Sequence, residues 1–222
     1  MRERDEGKTG SVGLEAIKLL EPRLERGGSL AEAFRTRRTV REFSDEALPP
    51  QTLSDLLWAA CGINRLNGPF GVAGRTAASA SNSQEVDVYV ALREGTYRYD
   101  PAPHSLIPIA AGDNRRLALG ARQGAGGSNA PVRLIYVADI GKLEHTAGFD
   151  EPGLHEPEVQ KSYYYVDTGL IAGNVYLFAA SRGLAAWFHN CDRPALSATL
   201  GLSDSQRPLF AQTVGYAKRT EP

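Results

Sequence analysis

The chain has 222 residues, 42% apolar and 23% charged, and its 25 basic and 26 acidic side chains leave a formal net charge of −1. That composition fits a globular protein with one sizeable core, and it lacks the basic excess that would draw nucleic acid or an anionic membrane. Only two cysteines occur, Cys61 and Cys191, outside any paired-cysteine or Cys/His spacing, which argues against a disulfide framework or a zinc site.

Residues 1–13 are polar and charged, without the apolar centre of a secretory signal, so a cytoplasmic protein is expected. Residues 14–25 place Leu14, Ile17 and Leu20 on one side and read as a short helix or an arm, interrupted by Pro22. We take residues 1–28 as an N-terminal arm and 29–222 as a single domain. Ser29 and Glu32 form a capping box for a helix whose Leu30, Ala33 and Phe34 make one apolar stripe. It runs into Arg37, Arg38, Thr39, Val40 and Arg41, with the first two arginines in its last turn and the β-branched pair extending the chain beyond it. Guanidinium forks match phosphate or a carbonyl edge. Taken alone, however, the stretch reads first as solvated side chains, or as partners of Glu42, Asp45 and Glu46.

Pro49 and Pro50 open a helix carrying Leu53, Leu56, Leu57 and Ala60, and Gly62 stops it. Residues 62–76 lack any period and are expected as a long loop. Ser79, Ala80, Ser81, Asn82, Ser83 and Gln84 then lead into an alternating strand through Val86, Val88 and Val90. Such small polar side chains suit either a turn or close approach to a flat ligand. Gly95 marks a hairpin, and further strands near residues 96–99 and 106–109 suggest an antiparallel meander.

Asp113 is expected to cap a helix through Leu117 and Leu119 that ends near Gln123. The following glycine loop, residues 124–127, comes after a helix and before the strand 132–137, the wrong order for a dinucleotide fingerprint, and no P-loop pattern occurs. Residues 141–157 form a second expected loop. Residues 158–182 make the longest helix, apolar almost all round, in which Gly169, Ala172 and Gly173 permit close approach within a core or across a subunit interface. A strand at 184–188, a small helix begun by Asp192 and Pro194, and a last strand at 209–216 complete the chain. The 168–181 stretch is too short to span a bilayer and contains Asn174. The four histidines, His104, His145, His155 and His189, show no metal spacing and read as surface or capping groups, and no Gly-x-Ser-x-Gly elbow supports acyl transfer.

In this order the motifs resemble the FMN-dependent nitroreductase family, near its SagB-type dehydrogenase branch. Residues 37–43 are similar to the family's Arg-Arg-Ser-x-Arg-x-Phe opening, and the likeness continues through 53–62, 79–90, 97–101, 167–184 and 214–216. The resemblance implies an α+β fold, with a mostly antiparallel central sheet flanked by helices, in an intertwined homodimer carrying FMN at the interface. It further implies an oxidoreductase that takes hydride from NAD(P)H through flavin N5 and passes electrons to a small-molecule acceptor, a nitroaromatic or quinone. Nucleic acid, membrane and metal are not expected partners.

By the same resemblance, Arg37, Arg38, Thr39 and Arg41 hold the phosphate, ribityl chain and pyrimidine edge. Ser79, Ala80, Ser81 and Asn82 come over the ring from the other subunit. Phe188, His189, Asn190 and Cys191 flank the ring and N5, Lys218 and Arg219 reach the phosphate, and Gln123 contacts the pyrimidine edge. Thr39 stands where the family has Ser and Ala78 where Pro is common, while Asn190 and Cys191 replace a Gly-rich or Glu-Gly pair. Oxidation of peptide azolines, or a flavin-fold scaffold without turnover, are the competing readings.

Overall fold

The computed structural model describes residues 13–120, 130–147 and 155–219. In chain order it contains β1 (Ile17–Lys18), α1 (Leu30–Thr36), α2 (Pro50–Cys61), β2 (Ile63–Arg65), β3 (Gly74–Arg75), β4 (Val86–Ala91), β5 (Gly95–Asp100), β6 (Ser105–Ala111), β7 (Val132–Asp139), α3 (Ile140–Glu144), α4 (Pro157–Ser181), β8 (Ala185–His189), α5 (Arg193–Leu200) and β9 (Gln206–Gly215). Seven strands form one sheet in the order β1-β6-β5-β4-β7-β9-β8. Every pairing in it is antiparallel, so the fold is α+β.

Both faces of the sheet are covered. Val86, Val88 and Val90 of β4 and Leu134, Tyr136 and Ala138 of β7 pack under Leu56, Leu57 and Ala60 of α2 and Ile171, Val175 and Ala179 of α4. The alternate residues Tyr89, Ala91, Ile135 and Val137 meet Leu196 and Leu200 of α5 on the opposite face. This two-sided burial explains why the central strand β7 shows no polar alternation apart from Arg133, whose Nη1 donates to the Arg115 carbonyl at 2.6 Å.

Several sequence expectations change. Residues 14–25 are not helical: β1 adds Ile17 opposite Leu106 at the sheet edge. The expected loop at 62–76 contains a small hairpin, with Ile63 opposite Arg75 and the Thr76 N–H donating to Gly62 O at 2.9 Å. Among the described residues from Asp113 to Gly120 the chain forms a 3-10 turn at Arg115–Ala118, where the Asp113 carboxylate engages the Arg115 N–H and guanidinium and closes a local turn instead of capping a helix. Residues Ile140–Glu144 form α3, capped by Asp139, within the expected second loop. The α1 stripe is only partly used: Ala33 is buried, but Leu30 and Phe34 are 62% and 64% exposed. His104 is half-buried, and its ring nitrogens meet Tyr99 OH and Ser54 Oγ, both at 2.8 Å.

Candidate functional site

Ser29 caps α1 by accepting the Glu32 N–H at 3.2 Å, and the helix ends at Thr36. Arg37 is the C-cap; its N–H still reaches Ala33 O at 2.8 Å, but its ψ of 119° turns the chain out of the helix. Extension of Thr39 and Val40 then lays this segment along β8, where the Val40 N–H donates to Ala186 O at 3.0 Å. Phe43 bridges Ala217, the Ser44 N–H donates to Tyr216 O and the Lys218 N–H to Glu42 O, each at 3.0 Å. The C-terminal basic residues thus run beside the N-terminal ones, although some 180 positions separate them in the chain.

These cations are not consumed by carboxylates. Among the described residues, the four ion pairs join Arg115 to Asp113, Lys142 to Asp87, Lys161 to Glu158 and Arg182 to Asp55; none involves Arg37, Arg38, Arg41, Lys218 or Arg219. Two of the arginines lie over aromatic rings instead, Arg37 at 5.5 Å from the Tyr176 centroid and Arg41 at 5.9 Å from that of Trp187. A cavity of about 450 Å³ opens beside them, lined among others by Arg37, Arg38, Val40, Tyr176, Ala186 and Ala217. Tyr176, which the sequence did not distinguish from the other apolar residues of α4, ties the parts together. Its hydroxyl lies 3.2 Å from Thr39 Oγ1 and accepts the Phe188 N–H at 2.8 Å.

At the end of β8 the side chains turn inward. Phe188 packs on Phe210 and Tyr136, at 4.8 and 6.0 Å between centroids. His189 Nδ1 meets Asn190 O and Nε2 meets Thr213 Oγ1, both at 2.8 Å. A carbonyl can only accept, so Nδ1 carries the proton and Nε2 accepts from the threonine. Burial, with Arg133 nearby, lowers the His189 pKa to about 4 and keeps the ring neutral. Burial likewise pushes the Cys191 thiol up to about 11, so it is no thiolate nucleophile. Asn190 is exposed, and its carbonyl also accepts the Gly120 N–H at 3.2 Å. What this stretch offers a ligand is backbone and the Asn190 side chain.

Residues 79–82 lie elsewhere in the fold. They form a turn in which Ser81, Asn82 and Gln84 all adopt positive φ (48°, 55° and 53°), a strained run for side chains of this kind. The surroundings hold it in place. The Gln84 N–H donates to Ser79 Oγ at 3.0 Å, Asn82 Nδ2 to Val72 O at 3.1 Å and Gln84 Nε2 to Ala73 O at 2.6 Å. From α4, Asp167 Oδ2 accepts the Ala80 N–H at 2.9 Å. Asn82, Gln84 and Ser79 are thus spent on shaping the turn. Behind it, Glu85 is wholly buried, accepts from Ser83 Oγ at 2.6 Å, and is pushed up to about pKa 7, mainly by burial and partly by the neighbouring Asp167, itself raised by burial.

Asp167 and Tyr176 are nine positions apart on α4, so the anchor of the 79–82 turn and the anchor of the arginines are separated by about 14 Å of helix. Just before Asp167 α4 exposes Val166 (60%), between the two anchors it exposes Leu170 (44%), and there Gly169 and Gly173 face open space. The chain therefore brings together residues 37–41, 188–191 and 218–219, and holds 79–82 at another point along α4. Gln123 lies outside the described residues. Among the described residues no group of three His, Cys, Asp or Glu side chains is arranged to hold a metal, and no helix is long and apolar enough to cross a membrane.

Comparison with known proteins bears on the family and the fold. The model of the Nitroreductase family matches residues 34–216. A protein of Methanocaldococcus jannaschii, provisionally named a nitroreductase, is 31% identical over 162 residues, which is 70% of this chain and 75% of that one. The crystal structure of a protein of Ralstonia eutropha, also provisionally named a nitroreductase, superposes with a TM-score of 0.77 at 34% identity, covering 92% of this chain and 90% of that one. A chain of the Escherichia coli microcin synthetase complex with truncated pro-MccB17 bound gives a TM-score of 0.68 over 98% of this chain and 80% of that one; at 17% identity that likeness is one of fold alone.

Proposed function

This chain belongs to the nitroreductase family of flavin-dependent oxidoreductases, and from that premise we propose that its flavin is FMN, reduced by NAD(P)H and reoxidised by a small acceptor such as a nitroaromatic or quinone. The observation that supports the reading is the meeting of two basic segments whose cations have no carboxylate partner among the described residues, Arg37, Arg38 and Arg41 beside Thr39 on one and Lys218 and Arg219 on the other. Such a donor set fits a dianionic phosphate with an oxygen-rich edge beside it.

Bound FMN would supply the hydride and electron chemistry. Arg37, Arg38, Thr39, Lys218 and Arg219 would grip the phosphate and ribityl oxygens, and Arg41, braced on Trp187, would face the pyrimidine edge, where fixed positive charge favours negative charge on that edge. The backbone of residues 188–191 would flank the ring. Neutral His189 and the protonated Cys191 thiol move no proton in this scheme, and none is demanded of them. The exposed apolar face of α4 and its open glycines support a homodimer in which the 79–82 turn of a second copy covers the ring.

Purified protein is expected to be yellow, or to become so on adding FMN, and to bleach anaerobically with NADH or NADPH. A colourless protein that refuses FMN overturns the reading in favour of a scaffold. Bleaching by a peptide thiazoline and not by NAD(P)H would move it to azoline oxidation.

A further inference from the structure

Tyr176 is half-buried where α4, β8 and the arginine segment meet. Its hydroxyl oxygen accepts the Phe188 N–H at 2.8 Å, a backbone donor with no alternative role. The phenolic oxygen keeps a second acceptor site, so the 3.2 Å contact with Thr39 Oγ1 can run either way, and the phenolic hydrogen is free to take the direction toward Thr39. In that direction Thr39 accepts, which leaves its own hydrogen to donate elsewhere. The Arg37 guanidinium sits over the same tyrosine ring, 5.5 Å from its centroid, and lines the cavity with Tyr176. We propose that Tyr176 is a positioning residue that sets the polarity of this site: the sequence Phe188 N–H, Tyr176 O–H, Thr39 O–H makes Thr39 a donor, aimed beside Arg37 at an anionic acceptor oxygen, the phosphate of the cofactor. The proposal rests on the FMN reading above, but adds a residue and a direction to it.

The chain of donors also explains why a phenol serves here. Phenylalanine would fill the same space and keep the cation–π contact, but would leave the Phe188 N–H unpaired and Thr39 free to rotate and accept. The consequence is selectivity: a flavin bearing phosphate gains from the directed hydroxyl, whereas riboflavin, which lacks that oxygen, gains little.

The test titrates the apo-protein with FMN and with riboflavin by fluorescence. In Tyr176→Phe the Kd for FMN should rise about five- to tenfold, as for one net hydrogen bond, with riboflavin affinity changed by less than twofold. Thr39→Val should show the same selective loss, Thr39→Ser should retain wild-type affinity, and Tyr176→Phe added to Thr39→Val should cost nothing further, because both break one chain. Equal losses for FMN and riboflavin, or additive losses in the double variant, overturn the proposal. If Tyr176→Phe does not fold, the Thr39 pair decides: a Thr39→Val variant that loses FMN no more than riboflavin overturns it. Wild-type protein that binds neither flavin refutes the function reading itself, a distinguishable result.

Discussion

Glu85 has no exposed surface and sits against Asp167 beneath a strained turn. Its carboxyl titrates near 7 in the folded protein, against an ordinary value of 4.5. Between those values the folded state keeps a proton that the unfolded chain has released, so stability falls as pH rises through that window, by up to about 1.4 kcal/mol per pH unit for one proton. Glu85→Gln is expected to flatten the melting temperature between pH 5 and about 7.5 and to leave the variant more stable than wild type at pH 8. An unchanged slope would show that the proton resides elsewhere. Asp113 works in the opposite sense: hydrogen bonds from Arg115 hold its carboxyl below the usual range, and that contribution is lost only on strong acidification. At the arginines, Arg38→Ala and Arg41→Ala should each weaken FMN binding about 10- to 100-fold, the range for a charge-assisted bond. Unchanged flavin content and reduction rate in both variants would remove these residues from the site.

Two elements carry the architecture, α2 and α4, and one buried carboxylate joins them. Asp55 of α2 accepts the Arg23 N–H at 2.7 Å and the Arg182 guanidinium at 3.1 Å, with only 1% of its side chain exposed. Asp55→Ala therefore unpairs the N-terminal arm and the end of α4 together, and a loss of about 2–4 kcal/mol is expected in denaturant melts. A loss under half a kilocalorie per mole or so would mean the pair is merely superficial. The elements themselves were largely readable. The capping box at Ser29, the prolines at 49 and 50, Gly183 after α4 and Asp192 before α5 are local signals, and the structure places helix ends where they stand. The hairpin of β2 and β3 was not readable. Its ladder is short, and residues as distant as Asn82 and Gln84 hold the adjoining loop, so no window of sequence contains its cause.

At the scale of the whole molecule, the sequence left open whether Gly169, Ala172 and Gly173 pack within a core or across an interface. Ala172 is buried, whereas a Cβ on Gly169 or Gly173 would meet nothing. Val166→Glu combined with Leu170→Glu is accordingly expected to turn a dimer into a monomer by light scattering, and to lose FMN in the same step because the covering turn departs with the partner. A variant that stays dimeric and yellow would show that subunits meet on another face.

The sequence by itself determined the main helices and the long strands of the sheet, the candidate grip of residues 37–41 and the family likeness, because capping, alternation and short motifs are properties of neighbours along the chain. Only the tertiary structure decided that Lys218 lies beside Glu42, that His189 is turned into the interior as a neutral ring, that the Ser79, Asn82 and Gln84 side chains are spent on their own turn, and that Tyr176 joins Thr39 to Phe188. Those outcomes depend on which distant groups are brought within hydrogen-bonding reach and which lose their water, and both are fixed by packing rather than by spacing.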